Sequence, residues 1–192
     1  MSCAYRFEKG AFVSQSAQAT SALGRALAEQ LAEGDIVFLM GELGAGKTQL
    51  TKGIAQALQA TDEVTSPTFA LHLIHPCAGA VDTLHHFDLY RLEDELQLED
   101  IGLFDVLGED GVCIVEWGEK FPGLMSSFPE ALFVSLAYGD AADERIITID
   151  ERSKRKAQLD QALASSCVGD TAGSCGASAH ADDAAEATEA EA

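Results

Sequence analysis

Gly41-Glu42-Leu43-Gly44-Ala45-Gly46-Lys47-Thr48 is the stretch on which the fold turns. It fits the pattern G-x-x-x-x-G-K-[ST] at every fixed position. From average residue usage, a chance match in a chain of 192 residues is on the order of one in a hundred. Its flanks sharpen the reading. Ile36-Val37-Phe38-Leu39-Met40 is a wholly apolar run, as a buried parallel strand requires. From Lys47 to Leu58, Leu50, Ile54 and Leu58 recur on one helical face. Strand, glycine-rich loop and helix in that order make a phosphate-binding loop.

The spacing has a physical reason. Gly41, Gly44 and Gly46 permit backbone torsions that gather several N–H groups around one anion. The helix starting near Lys47 aims its positive dipole end at the same point. Lys47 supplies a mobile charge for the β- and γ-phosphates of a nucleotide such as ATP, and Thr48 a hydroxyl for Mg²⁺. The nucleotide-binding candidates are therefore Gly41, Glu42, Leu43, Gly44, Ala45, Gly46, Lys47, Thr48 and Gln49. A plain helix-capping turn would not need Lys47 and Thr48 together.

A metal site of this kind needs a second carboxylate, and two acids are placed for it. Glu116 ends the apolar run Val112 to Val115, where the acid of a neighbouring strand belongs. Asp88 ends the run Leu84 to Phe87. For each, a surface acid capping an element is the competing reading, and it weighs more on Asp88. Thr65-Ser66-Pro67-Thr68 is either a turn or a hydroxyl-rich segment that orders around a γ-phosphate and metal. Trp117, the single tryptophan, either stacks on a ligand or partner or packs beside the strand end. His72, His75, His85 and His86 fall on strand-like segments where His85 and His86 face opposite sides, so no single metal site follows.

Elsewhere, residues 17–33 read as an amphipathic helix capped by Ser16. Phe69 to Ile74 and Val81 to Asp88 read as an antiparallel pair around a turn at 76–80. Glu93 to Leu107 is acidic, with leucines at helical spacing interrupted by Gly102. Leu132 to Tyr138 and Arg145 to Ile149 read as strands around Gly139-Asp140. The expected architecture is α/β: a three-layer P-loop NTPase-like domain over residues 1–155 with a mixed, mainly parallel sheet. An acidic, alanine-rich tail at 156–192 would follow it, disordered or a frayed helix.

Composition narrows the partners. The chain carries 12 basic against 32 acidic residues, a net charge of −20. Residues 157–192 hold seven of the acids and no Lys or Arg, which leaves the body 25 acids against 12 bases. Such a surface is poorly suited to grip RNA or DNA by itself. Five widely spaced cysteines without a C-x-x-C point to free thiols in a reducing compartment. No apolar run approaches a membrane span, and the N-terminus lacks the order of a signal peptide, so a cytoplasmic protein is expected. An N-K-x-D base-reading motif is absent, which disfavours a guanine-specific GTPase. Between Arg25 and Arg145 only Arg91 is available, which weakens a small-molecule kinase without removing it.

Taken together the motifs resemble the TsaE family, also called YjeE or YdiB, small bacterial P-loop ATPases of tRNA threonylcarbamoyladenosine formation. The pieces that carry the resemblance span roughly residues 15–150: Gly34-Asp35, the loop Gly41 to Thr48, Ser66-Pro67-Thr68-Phe69, His86-Phe87-Asp88-Leu89-Tyr90-Arg91-Leu92, and Ile114-Val115-Glu116-Trp117. The resemblance implies that Lys47 and the loop amides bind phosphates and that Thr48 and Glu116 hold Mg²⁺. Asp88 would stand near the γ-phosphate as a metal-shell or water-positioning acid, so Asp88, Glu116 and Lys47 are the catalytic candidates. Ser66 and Thr68 would belong to a nucleotide-responsive switch, while Trp117 receives no fixed role. It further implies an ATP-driven accessory that docks on TsaD-like and TsaB-like partners, the unit that transfers the threonylcarbamoyl group to adenosine 37, meeting tRNA only indirectly. A small-molecule kinase and a non-hydrolysing nucleotide-binding adaptor are the two alternatives. Gln49, where the family often has Thr or Ser, and the acidic tail depart from its pattern.

Overall fold

The computed structural model describes residues 4–168. Its strands are β1 (Tyr5–Glu8), β2 (Ala11–Ser14), β3 (Ile36–Met40), β4 (His72–Pro76), β5 (Thr83–Asp88), β6 (Val112–Glu116), β7 (Leu132–Tyr138) and β8 (Arg145–Ile149). Its helices are α1 (Ala17–Ala28), α2 (Lys47–Ala57), α3 (Leu96–Asp100), α4 (Leu103–Val106), α5 (Pro122–Ser127) and α6 (Lys156–Val168), with one 3₁₀ turn at Gly118–Lys120. The strands form one eight-stranded sheet in the order β1-β2-β8-β7-β3-β6-β5-β4.

The sheet is mixed. Its parallel ladders join β7 to β3, β3 to β6 and β6 to β5 at the centre. The four outer ladders, β1 to β2, β2 to β8, β8 to β7 and β5 to β4, are antiparallel. The antiparallel share is thus larger than the apolar runs suggested, because those runs mark only strands covered on both faces.

Strand β3 shows why the centre is apolar throughout. Val37 and Leu39 enter one core with Leu23 and Leu27 of α1 and Leu50 and Ile54 of α2. Ile36, Phe38 and Met40 enter a second core with Leu103, Phe121 and Phe133. Successive side chains point to opposite faces, so both layers of cover are written into one five-residue strand. On the first face, α1 and α2 touch through glycine. A Cβ on Gly53 would lie 2.0 Å from the Ser21 carbonyl oxygen, and one on Gly24 would lie 2.2 Å from that of Leu50.

Several sequence expectations shift locally. Ser16 does cap α1, its hydroxyl accepting from the Ala19 N–H at 3.1 Å. The helix nevertheless stops at Ala28 instead of running to residue 33. Leu31 is still buried, which is why the four-residue periodicity outlasts the helix. The expected strand at 69–74 starts at His72, after Leu71 takes a left-handed φ of 66°. Pro76 lies in that strand, not in the following turn, and pairs with Thr83 on the edge, where a missing N–H is tolerated. The helical stretch 93–107 is two short helices, with Gly102 at φ +68° between them. The hairpin β1–β2 carries no expectation from periodicity. Its turn, Lys9-Gly10, has positive φ at both residues, the two-residue geometry that matches strand twist.

Helix α6 lies in the stretch assigned to the tail, and its Leu159 and Leu163 are buried in the first core. Residues 169–192 lie outside the described residues. Cys77 and Cys113 are free thiols, and burial pushes the Cys113 thiol up to about 12. No helix among the described residues is long and apolar enough to cross a membrane.

Candidate functional site

The C-terminal ends of β3, β5 and β6 lie side by side, which is where an α/β sheet builds its binding crevice. The register brings Leu39 beside Glu116 and Glu116 beside Asp88. The loop 41–46 rises from β3 and α2 begins at Lys47 behind it. Between them opens a cleft of about 320 Å³, whose walls include Gly44, Gly46, Thr48, Ser66, Asp88 and Glu116.

The loop depends on its glycines. Gly41, Gly44 and Gly46 have φ of +132°, +78° and +104°, a region costly for residues with a Cβ. Gly41 is also sterically tied, since a Cβ there would lie 2.1 Å from the Leu136 carbonyl oxygen. Ala45 is fully buried in the core behind the loop, whereas the Leu43 side chain points outward and is 69% exposed.

Lys47 is 4% exposed. Its Nζ donates to the carbonyl oxygens of Gly41 at 2.6 Å and Glu42 at 3.0 Å, and stands 3.7 Å from the centre of the Trp117 ring. Burial lowers the pKa of its ammonium, and the nearby carboxylates of Glu116, Glu119 and Asp88 oppose that shift. The half-buried Trp117 holds a left-handed φ of 66°, strained for a bulky residue, and its ring also meets Tyr90 at 4.9 Å.

The Thr48 hydroxyl donates to Glu116 Oε1 at 2.9 Å. Two hard oxygen groups thus adjoin at the start of α2, the donor set that suits Mg²⁺ beside phosphates. The glycine cradle, the buried ammonium and this oxygen pair fit a bound Mg²⁺–nucleotide. Asp88 is buried and faces the other wall. It accepts from the Thr68 hydroxyl at 2.5 Å, from the Ser66 hydroxyl at 3.5 Å and from the Tyr90 N–H at 2.9 Å. The structure therefore brings Leu43, Lys47, Thr48, Gln49, Ser66, Thr68, Asp88, Glu116 and Trp117 around one cleft, while Gly41, Glu42 and Ala45 do not line it.

Other residues brace this arrangement that the sequence did not single out for it. Glu119 Oε1 accepts the Gly41 N–H at 2.9 Å. Lys120 donates to the carbonyl of Tyr90 at 2.5 Å and to that of Leu92, tying down the segment after Asp88. Tyr138 donates its hydroxyl to the Leu43 carbonyl at 2.7 Å, and Arg145 donates to that of Gly44 at 3.4 Å. His86 Nε2 lies 2.8 Å from Glu116 Oε1. Position two or three after the Glu116-Trp117 pair was the only sequence signal for Glu119 and Lys120; Tyr138 and Arg145 gave none. His72 and His85 pair with each other at 3.1 Å on the opposite sheet face, away from His86.

Known proteins resemble this chain over most of its length. A family model described as "Threonylcarbamoyl adenosine biosynthesis protein TsaE" matches residues 14–147. A "tRNA threonylcarbamoyladenosine biosynthesis protein TsaE" of Streptomyces coelicolor is 44% identical over 140 residues, covering 72% of this chain and 94% of that protein. The Bacillus subtilis protein of the same name is 38% identical over 144 residues, covering 75% and 87%. The crystal structure of Bacillus subtilis YdiB superposes with a TM-score of 0.64 at 29% identity, over 81% of this chain and 93% of that one.

Proposed function

We propose Mg²⁺-dependent ATP hydrolysis as the activity of this chain, from a plain premise: the chain belongs to the TsaE family, proteins of tRNA threonylcarbamoyladenosine biosynthesis. The observation that carries the proposal is the convergence of Lys47, the Thr48–Glu116 oxygen pair and Asp88 on one glycine-lined cleft. Lys47 would neutralise β- and γ-phosphate oxygens, which would replace the two carbonyls it now holds. The N–H groups at the start of α2 would cradle the same phosphates. Thr48 and Glu116 would hold Mg²⁺, which supplies charge neutralisation to the phosphoryl group. Asp88 would orient the attacking water, with Ser66 and Thr68 coupling that acid to the state of the nucleotide. Catalysis would rest on positioning and charge, with no covalent intermediate.

No arginine among the described residues donates into the cleft beside Asp88, so turnover by the isolated chain is expected to be slow. Activation would come from docking on TsaD-like and TsaB-like partners in the cytoplasm. The net charge of −20 supports an indirect relation to tRNA. The test is phosphate release from MgATP by the chain alone and with both partners, beside Asp88→Asn. Low release alone, a clear rise with partners and loss in Asp88→Asn support the proposal. Binding without release under either condition replaces hydrolysis by an adaptor role, and transfer of the γ-phosphate to an acceptor other than water replaces it by kinase chemistry.

A further inference from the structure

His86 and Glu116 lie on the same face of neighbouring parallel strands, two positions apart along the ladder, where His86 stands opposite Ile114 and Glu116 opposite Asp88. His86 is fully buried and Glu116 is 3% exposed. Two groups converge on a single carboxylate oxygen: His86 Nε2 at 2.8 Å and the Thr48 hydroxyl at 2.9 Å both meet Oε1. A carboxylate oxygen offers only lone pairs, so both neighbours donate and the imidazole carries its proton on Nε2. His86 Nδ1 is buried without a partner, the place of a bare lone pair and not of a second N–H. Oε2 of Glu116 carries neither bond.

We propose that His86 is a positioning residue for Glu116: its Nε2–H fixes the rotation of the carboxylate so that Oε2 is presented to the divalent cation. The terminal torsion of a glutamate is broad and two-fold, so a carboxylate without such a donor samples orientations in which neither oxygen is aimed. A buried donor with no alternative acceptor removes that freedom before the metal arrives. Outer partners of this kind commonly change metal affinity by about 10–100-fold when removed. The proposal rests on the reading of Glu116 as a Mg²⁺ ligand, and the test separates the two.

Trp117 is the only tryptophan of the chain, and its ring borders the cleft beside Lys47, so its emission reports binding without reference to turnover. Mg²⁺ is titrated against full-length protein at fixed ADP, using the wild type, His86→Leu, His86→Gln and Glu116→Gln, with melting curves for each. His86→Leu is expected to raise the Mg²⁺ midpoint by about 10–100-fold while metal-free ADP affinity stays within about twofold. His86→Gln, which keeps a side-chain N–H, is expected to recover most of the wild-type midpoint. An unchanged midpoint in His86→Leu beside a raised one in Glu116→Gln overturns the proposal. Equal effects of Leu and Gln also overturn it, because the residue would then act by shape alone. An unchanged midpoint in Glu116→Gln overturns both His86 and the metal role of Glu116. Shifted midpoints with no phosphate release in the wild type leave His86 standing and remove only the hydrolysis reading.

Discussion

Glu116 and Asp88 end neighbouring strands and pair in register, yet the two walls of the cleft they serve are built differently. The Glu116 wall is stiff. Its carboxylate is bonded to Thr48 and His86, the P-loop is tied to Glu119, Tyr138 and Arg145, and α2 is seated on α1 with no room for a Cβ at Gly53. The Asp88 wall is held more lightly. Its side-chain partners, Ser66 and Thr68, sit on a connector outside the sheet, beside an 85% exposed Phe69 that meets solvent and the Arg91 guanidinium. Under the proposed activity, the first wall would hold phosphate without reorganising, and the second would change when phosphate is lost.

Four experiments break or sharpen this contrast. The largest effect is expected from the stiff wall. Lys47→Ala removes the buried ammonium and should lower turnover by about 10²–10³-fold, in the range of losing one preorganised transition-state donor. Calorimetric titration with ADP should show a parallel loss of binding. If binding survives, the stiff wall does not hold phosphate. The light wall should behave otherwise. Thr68→Val leaves Asp88 without its 2.5 Å donor and should cut turnover by about tenfold, at the modest end of positioning effects, with ADP affinity nearly unchanged. Thr68→Ser should restore it. An equal loss of affinity and turnover in Thr68→Val would erase the distinction between the walls.

The third experiment asks what makes the stiff wall stiff. A Cβ at Gly53 meets the Ser21 carbonyl oxygen at 2.0 Å, so Gly53→Ala should cost about 1–3 kcal/mol of stability, read by chemical denaturation. It should loosen nucleotide binding as α2 lifts from α1. The smallest effect lies furthest from the phosphates. Burial and the neighbouring imidazoles lower His72 to about 4 against an ordinary 6.5. The folded state then resists the proton that the unfolded chain accepts, so stability is present above pH 6.5 and drains away as pH falls toward 4. His72→Phe should flatten that acid decline in melting temperature and leave nucleotide affinity at neutral pH unchanged.

The stiff wall was the more legible of the two in the sequence. A P-loop and an acid closing an apolar run are local patterns, and the strand and helix beside them have periods that can be counted. Lys47, Thr48 and Glu116 could therefore be named from spacing. What braces them could not. Glu119 reaches Gly41 across 78 positions and Tyr138 reaches Leu43 across 95, contacts that exist only after β6 and β7 have joined β3. The hairpin at residues 5–14 escaped because a pair of four-residue strands is too short to show alternation. The end of α1 is hidden for the converse reason: Leu31 packs in the core from outside the helix, so burial and helicity part company.

Strand β3 pairs with β6 on one side and β7 on the other, both parallel and both far along the chain. During synthesis the phosphate loop therefore leaves the ribosome long before the strands that support it. Neither neighbour of β3 can be supplied by a hairpin, and Glu116 arrives only with β6. The growing chain holds its P-loop sequence early but acquires the cleft late, once β6 and β7 have joined β3. Ligand binding can then reward the finished domain and not its fragments, and a chain truncated before residue 132 should gain no stability from MgADP.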